Sequence, residues 1–247
     1  MSGHSHFSTI KRKKEATDAA KGKIFSKMSR AIQIAIKTGG GADPLSNYKL
    51  RMAIDAAKAV NMPKTNIDRI LARSSEANTL DEVTYEGYGP EGIGVVVEVA
   101  TDNKNRTAQE IKNIFERGGG SLAGPGAVSY NFESKGLLVV KKEDQSDSQM
   151  LTLIDAGVED IEESDEGLLA YTAPNRTGEI KEKLENLGFE VTSAELIKQP
   201  KNYMTISDPA KATKVLGFLN NLEEHDDVQN VYANVDVPGD VVNQINV

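Results

Sequence analysis

Leu137-Leu-Val-Val140, Val158-Glu-Asp-Ile161, Leu168-Leu-Ala-Tyr-Thr172 and Val191-Thr-Ser-Ala-Glu-Leu-Ile197 are four strand-like runs lying between Gly136 and Gln199. Two stretches of helical spacing, Ser148 to Ala156 and Arg176 to Leu187, separate the first run from the second and the third from the fourth. The order strand, helix, strand, strand, helix, strand is that of a ferredoxin-like sandwich, complete in itself.

The flanks are incomplete by comparison. Gly94 to Ala100 reads as a buried strand, Asn105 to Arg117 as a helix through Ala108, Ile111 and Phe115, and Val128 to Phe132 as a strand. Near the end, Tyr203 to Ile206 reads as a strand, Pro209 to Leu222 as a helix capped by Asp208, and Val228 to Val237 as a strand. The two β-α-β units are expected to pair as a second sandwich into which the first is inserted.

Upstream the period is helical. Ala20, Ile24, Met28, Ile32 and Ile36 fall four apart and end at Gly39-Gly-Gly41. Asp43-Pro44 signals a second helix with Leu50, Ile54, Ala57 and Val60; Asn61-Met-Pro63 breaks it, and Ile67, Ile70 and Leu71 mark a third. The expected fold is therefore α+β: an N-terminal three-helix domain (1–78) followed by two ferredoxin-like α+β domains, one inserted in the other. The discontinuous domain takes 79–134 plus 201–247, and the inserted one 135–200.

Charge divides the chain at nearly the same place. Residues 1–75 carry 15 Lys and Arg against 5 Asp and Glu, a net +10, whereas residues 76–247 carry 14 against 32, a net −18. A compact basic segment is the usual footprint of a phosphate-binding surface, although it can also dock on the chain's own acidic remainder or on an anionic membrane. With no Trp and few aromatics in the basic third, charge must carry most of the affinity.

The candidate nucleic-acid contacts begin with an arm, His4, Ser5, His6, Phe7, Lys11, Arg12, Lys13 and Lys14. Lys23, Lys27, Arg30 and Lys37 then fall at steps of four, three and seven along one side of the first helix, with Lys21 beside them. Lys64, Asn66 and Arg69 extend the surface into the third helix, and Lys49, Arg51, Lys58 and Arg73 add to its charge. Helices two and three superficially resemble a helix-turn-helix, but the proline in the turn and the short third helix weigh against groove reading.

Lys104 and Arg106 stand at a helix start, in Thr101-Asp-Asn-Lys-Asn-Arg-Thr107, where free amides favour anions and where capping explains Asp and Asn equally well. Tyr85 and Tyr88 are candidates for base stacking or for turn packing. Gly118-Gly-Gly-Ser-Leu-Ala-Gly-Pro-Gly126 follows a helix instead of a strand, so it is no phosphate-binding loop and reads as a mobile connection, with a loop that lets backbone approach RNA closely as the alternative.

Catalytic signatures are missing: there is no Gly-x-Ser-x-Gly, no His-Glu-x-x-His and no cysteine. His225 sits in an acidic run, Glu223 to Asp227, that reads as solvated, and Glu159 to Glu166 reads as a charged strand edge. No enzyme activity, cofactor, resident metal or small-molecule substrate is expected. After removal of Met1, Ser2-Gly-His4 would form an incidental square-planar Cu(II) or Ni(II) site. No run spans a bilayer and no signal peptide is legible, so no membrane partner and a cytoplasmic location are expected.

Gly3-His-Ser5, Ile10-Lys11, Lys21-Gly-Lys-Ile-Phe25, Asn61-Met-Pro-Lys64 with Asn66-Ile67, Tyr85-Glu-Gly-Tyr-Gly-Pro90 and Thr101 to Thr107 occur in one order. Together they make the chain similar to the YebC family, which includes proteins named as transcriptional regulators and the mitochondrial translational activator of cytochrome c oxidase subunit one. The resemblance implies an N-terminal helical domain followed by two α+β domains. It also implies a non-enzymatic nucleic-acid-binding factor: a ribosome-associated translation factor that binds ribosomal RNA or tRNA and relieves stalling, with a transcriptional regulator that binds duplex DNA as the alternative. The family's opening usually reads Gly-His-Ser-Lys-Trp. Here His6 and Phe7 replace its last two residues, removing a fixed charge and an indole.

Overall fold

The computed structural model describes residues 18–73, 80–143, 146–164 and 167–245, and the arm from His4 to Lys14 lies outside them. Three helices come first: α1 (Asp18–Thr38), α2 (Tyr48–Ala59) and α3 (Lys64–Ala72). Their apolar faces bury Ile32, Ile36, Leu50, Ile54, Ala57, Met62 and Ile67 in one core. The buried Asn47 caps α2 by accepting from Leu50 N at 3.0 Å, while its amide donates to Ala35 O and Gly41 O. That side chain fixes the glycine turn. Asp43-Pro44 therefore forms a turn ahead of α2, and the helix begins four residues later than the Pro signal suggested.

Two four-stranded antiparallel sheets follow. The second contains β4 (Phe132–Val140), β5 (Asp160–Ser164), β6 (Gly167–Thr172) and β7 (Val191–Pro200) in the order β5-β6-β4-β7. Helices α5 (Ser146–Ala156) and α6 (Thr177–Asn186) complete the ferredoxin-like arrangement over a core that includes Leu138, Val140, Leu153, Leu168, Ile180 and Leu184. β5 is an edge strand; Lys135 pairs with Glu159, just before it, at 2.7 Å, and Lys142 with Glu163, within it, at 2.8 Å.

The first sheet has the order β3-β1-β2-β9, built from β1 (Asp81–Tyr88), β2 (Gly94–Thr101), β3 (Ser121–Ala123) and β9 (Val228–Ala233). Helices α4 (Lys104–Gly118) and α7 (Pro209–Glu223) pack on it through Ile111, Phe115, Val215, Phe218 and Leu219. The strand order again matches a ferredoxin-like sheet, but the position expected for a strand after β3 is filled by β1, which precedes β2.

Val128 to Phe132 is not a strand of this sheet. Ser129–Asn131 forms a 3-10 turn, and Phe132 already begins β4. The strand that follows α4 is β3, inside the glycine-rich stretch. β8 (Met204–Thr205) pairs only with β10 (Val235–Asp236), and a last short helix, α8 (Gly239–Val242), closes the described chain.

The glycine-rich stretch is built, not a bare connection. Gly119 takes φ +82° to end α4, and a Cβ on Gly120 would run into the Tyr88 carbonyl. Beyond β3, the buried Glu86 carboxylate accepts from the amides of Gly126, Val128 and Ser129 at 2.8–2.9 Å. Burial alone would raise the Glu86 pKa; those amides outweigh it and hold the carboxyl below its ordinary value. Tyr85 and Tyr88 lie on β1, where Tyr88 Oη donates to Ala127 O at 3.0 Å.

Candidate nucleic-acid interface

The basic stripe of α1 faces the last turn of α7. Lys23 Nζ donates to Glu224 O at 3.5 Å, Lys27 Nζ to Glu223 O, and Arg30 Nη1 to Asp226 O. A helix C-terminus leaves carbonyls without intrahelical donors and carries the negative end of the helix dipole, so cations from a neighbouring helix are favoured there. Lys37 lies two turns further on and donates to Leu80 O at 2.7 Å and to Asp81 at 3.4 Å.

Asp227 is the centre of this contact. It is 2% exposed; Arg30 Nη1 lies 2.6 Å from Oδ1, while Arg106 Nη2 and Thr107 Oγ1 lie 2.8 and 2.6 Å from Oδ2. Burial alone would raise its pKa. Hydrogen bonds from Thr107 and Arg106 and the charge of Arg30 prevail and lower it to about 2.

Thr101 to Thr107 now has a local account. Asn103 caps α4 by accepting from Arg106 N at 3.1 Å, Thr101 Oγ1 and Thr107 Oγ1 lie 2.7 Å apart, and Lys104 pairs with Asp81 at 3.1 Å. Arg106 also reaches Asp102 at 3.0 Å. The motif thus builds a receptor for Asp227, and through Asp227 for α1.

The run Glu223 to Asp227 is consequently not a simple solvated face. His225 Nδ1 accepts from Asp227 N at 3.1 Å, and its Nε2 faces Glu110 Oε2 at 3.0 Å. Glu110, His225 and Asp227 present ligand atoms within 4.8 Å of one another. The Asp227 oxygens are already engaged by two guanidinium groups and a hydroxyl, so the donor set suits an internal charge network better than a cation site.

The predicted contact residues therefore separate into groups. His4, Ser5, His6, Phe7, Lys11, Arg12, Lys13 and Lys14 lie outside the described residues. Lys21 is exposed on the first turn of α1. Lys23, Lys27, Arg30, Lys37, Lys104 and Arg106 have partners within the chain. Lys64, Asn66 and Arg69 lie together on α3, and Lys64 and Arg69 are exposed without a hydrogen bond or ion pair to another described residue.

Beside α3 lies a cleft of about 390 Å³ against α1. From α1 it takes Phe25, Ser29 and Gln33, successive residues four apart; from α3 it takes Asn66 and Arg69, and from the C-cap of that helix Arg73. Met62 also lines it, and no carboxylate does. Ser29 and Gln33 were not singled out from sequence, although their spacing from Phe25 places all three on one helix face. A larger cavity of about 480 Å³ lies where α1 and both sheets meet; Glu82, Glu98, Lys49 and Lys198 line it, and Lys198 is paired with Glu98 at 2.9 Å.

Among the described residues, no helix is long and apolar enough to cross a membrane. Residues 5–77 match the TACO1/YebC protein N-terminal domain, and residues 80–235 match the TACO1/YebC second and third domain. A probable transcriptional regulatory protein of Dictyoglomus thermophilum is 46% identical over 99% of this chain and 100% of its own. Another, of Moorella thermoacetica, is 43% identical over 100% of both chains. A solved structure, the conserved hypothetical protein Aq1575 from Aquifex aeolicus, superposes with a TM-score of 0.85 at 42% identity, covering 95% of this chain and 98% of its own. With both domain descriptions matched in order and relatives similar end to end, this chain belongs to the TACO1/YebC family.

Proposed function

We propose that this protein is a non-enzymatic, nucleic-acid-binding regulatory factor that engages structured RNA, the ribosome foremost, as a translation factor that relieves stalling. The observation that carries this reading is the division among its cations. Lys23, Lys27 and Arg30 of the α1 stripe are spent on carbonyls at the end of α7 and on Asp227, and Lys37 on Leu80 and Asp81, while Lys64 and Arg69 on α3 are exposed with no ion pair among the described residues. Residues 76–247 carry a net −18 and repel a polyanion over most of the remaining surface. Attachment is thereby directed to α3 and the adjoining cleft, with the arm from Lys11 to Lys14 adding charge next to α1 in sequence.

Duplex DNA is the second reading. It is supported by the relatives' name, probable transcriptional regulatory protein, and by the α2-turn-α3 arrangement. The test sets ribosomes, structured RNA and genomic duplex in competition for the full chain at fixed salt, with Lys64→Ala/Arg69→Ala/Arg73→Ala as the comparison. Preferential retention by ribosomes, lost in the triple variant, is expected. Preference for one duplex sequence by roughly 10³-fold over random duplex would replace the RNA reading with the DNA one.

A further inference from the structure

We infer that the cleft between α1 and α3 is a pocket for one unpaired nucleotide, which deepens the nucleic-acid reading above and rests on it. Its volume of about 390 Å³ lies within the range of about 300–1,000 Å³ that holds small ligands. Two helices bound it, so a single ring can enter, whereas base pairs stacked in a duplex cannot. The cleft therefore selects nucleotides that are already splayed out or can be extruded.

The lining has the three chemistries that such a nucleotide needs. Phe25, half-buried against the helical core, offers the edge of its ring to a base, a contact that gives sequence-tolerant stacking, and the buried Met62 floors the cleft. Gln33 and Asn66, one from each wall, are half-buried carboxamides without a hydrogen-bond partner among the described residues, and each offers both a donor and an acceptor to a base edge. Arg69 on α3 and Arg73 at its C-cap stand one turn apart, exposed at the cleft, where they meet the phosphate side. With no carboxylate in the lining, nothing opposes that charge.

The same cleft would be a poor site for an apolar peptide or a lipid tail, because two carboxamides and two guanidinium groups would lose water without being paired. It also differs from the cavity between α1 and the two sheets, whose two carboxylates, Glu82 and Glu98, are matched by Lys49 and Lys198. An unpaired nucleotide satisfies each group lining the α1–α3 cleft.

The test measures binding of the full chain, at one salt concentration, to a fluorescent 12-residue single strand of RNA, the same strand in DNA, an abasic strand of equal length, and the 12-bp duplex. The base-bearing strand should bind about 10-fold more tightly than the abasic one, in the range that base stacking on aromatic side chains supplies. Gln33→Ala/Asn66→Ala should shrink that ratio toward one while leaving duplex binding and thermal unfolding unchanged, and Phe25→Leu, which also loosens the helical core, should shrink it at a temperature well below its melting transition with duplex binding unchanged. Arg69→Ala/Arg73→Ala should weaken every polymer together. Equal binding of base-bearing and abasic strands overturns the pocket and leaves the nucleic-acid reading standing; binding of none of the four overturns both. The RNA and DNA arms identify which polymer supplies the nucleotide.

Discussion

Arg30 and Asp227 are 197 positions apart in sequence and 2.6 Å apart in space. This pair joins the helical bundle to the far edge strand of the first sheet, because Asp227 immediately precedes β9. The contact also sorts the cations: Lys23, Lys27 and Arg30 of α1 turn toward the end of α7 and Asp227, whereas Lys64 and Arg69 of α3 are exposed.

Replacing Asp227 by Ala removes the acceptor for Arg30, Arg106 and Thr107 together. Breaking a buried charge pair from one side costs about 3–5 kcal/mol. Here Arg30 and Arg106 remain partly hydrated, at 27% and 45% side-chain exposure, so a loss of about 2–3 kcal/mol is expected. Calorimetric melting of the variant beside the parent chain measures it; an unchanged melting profile would contradict the network described above.

The same carboxylate sets an acid limit. Its folded pKa, about 2, lies below the ordinary 3.8, so its stabilisation is present in full above that ordinary value and disappears as the pH falls toward 2. About 1–2 kcal/mol should be lost across that window, discounted for the partly hydrated partners. Stability measured from pH 5 to pH 2 should fall less steeply in Asp227→Asn than in the parent.

Glu86→Gln tests the glycine-rich loop. A carboxamide presents one acceptor oxygen where the carboxylate presents two, and its amino group would face backbone N–H donors. A cost of about 1–3 kcal/mol follows from leaving a buried donor unpaired. Hydrogen exchange at Gly126, Val128 and Ser129 should accelerate, while exchange in β6 stays as it was.

Gly136→Ala probes the second sheet. A Cβ there would collide with the hydroxyl oxygens of Thr172 and Thr177, both fully buried and hydrogen-bonded to each other at 3.0 Å. Overpacking of this kind costs about 1–3 kcal/mol. Thermal unfolding of the variant should begin earlier, with nucleic-acid binding at moderate temperature unaffected because α3 lies elsewhere.

The inserted sandwich was legible because its strands are short apolar runs and its helices keep a clean period: Leu137 to Val140 and Leu168 to Thr172 emerge as β4 and β6. β1 was not legible, because Glu86 and Gly87 interrupt the alternation set by Val83 and Tyr85. Glu86 is buried only because three loop amides arrive from residues 126–129. The cation stripe of α1 was visible as a stripe, but its partner was not. An acidic run ending at Asp227 looks like solvent-facing charge until Arg30, Arg106 and Thr107 are brought to it from two other parts of the chain. The α1–α3 cleft lies between these extremes: each wall has a regular spacing, but their apposition depends on the turn at Met62-Pro63.

The placement of β1 and β9 on either side of β2 has a consequence for synthesis. β2 meets β1 as soon as both have left the ribosome, but its other edge waits more than a hundred residues for β9. In that interval β4 to β7, whose pairings are nearer in sequence, have everything needed to close their own sheet, and loop-closure entropy favours the nearer pairings first. Residues 226 and 227, which anchor Arg30, emerge only just ahead of β9, so a nascent chain holds its first basic helix without that acidic partner until synthesis is almost finished.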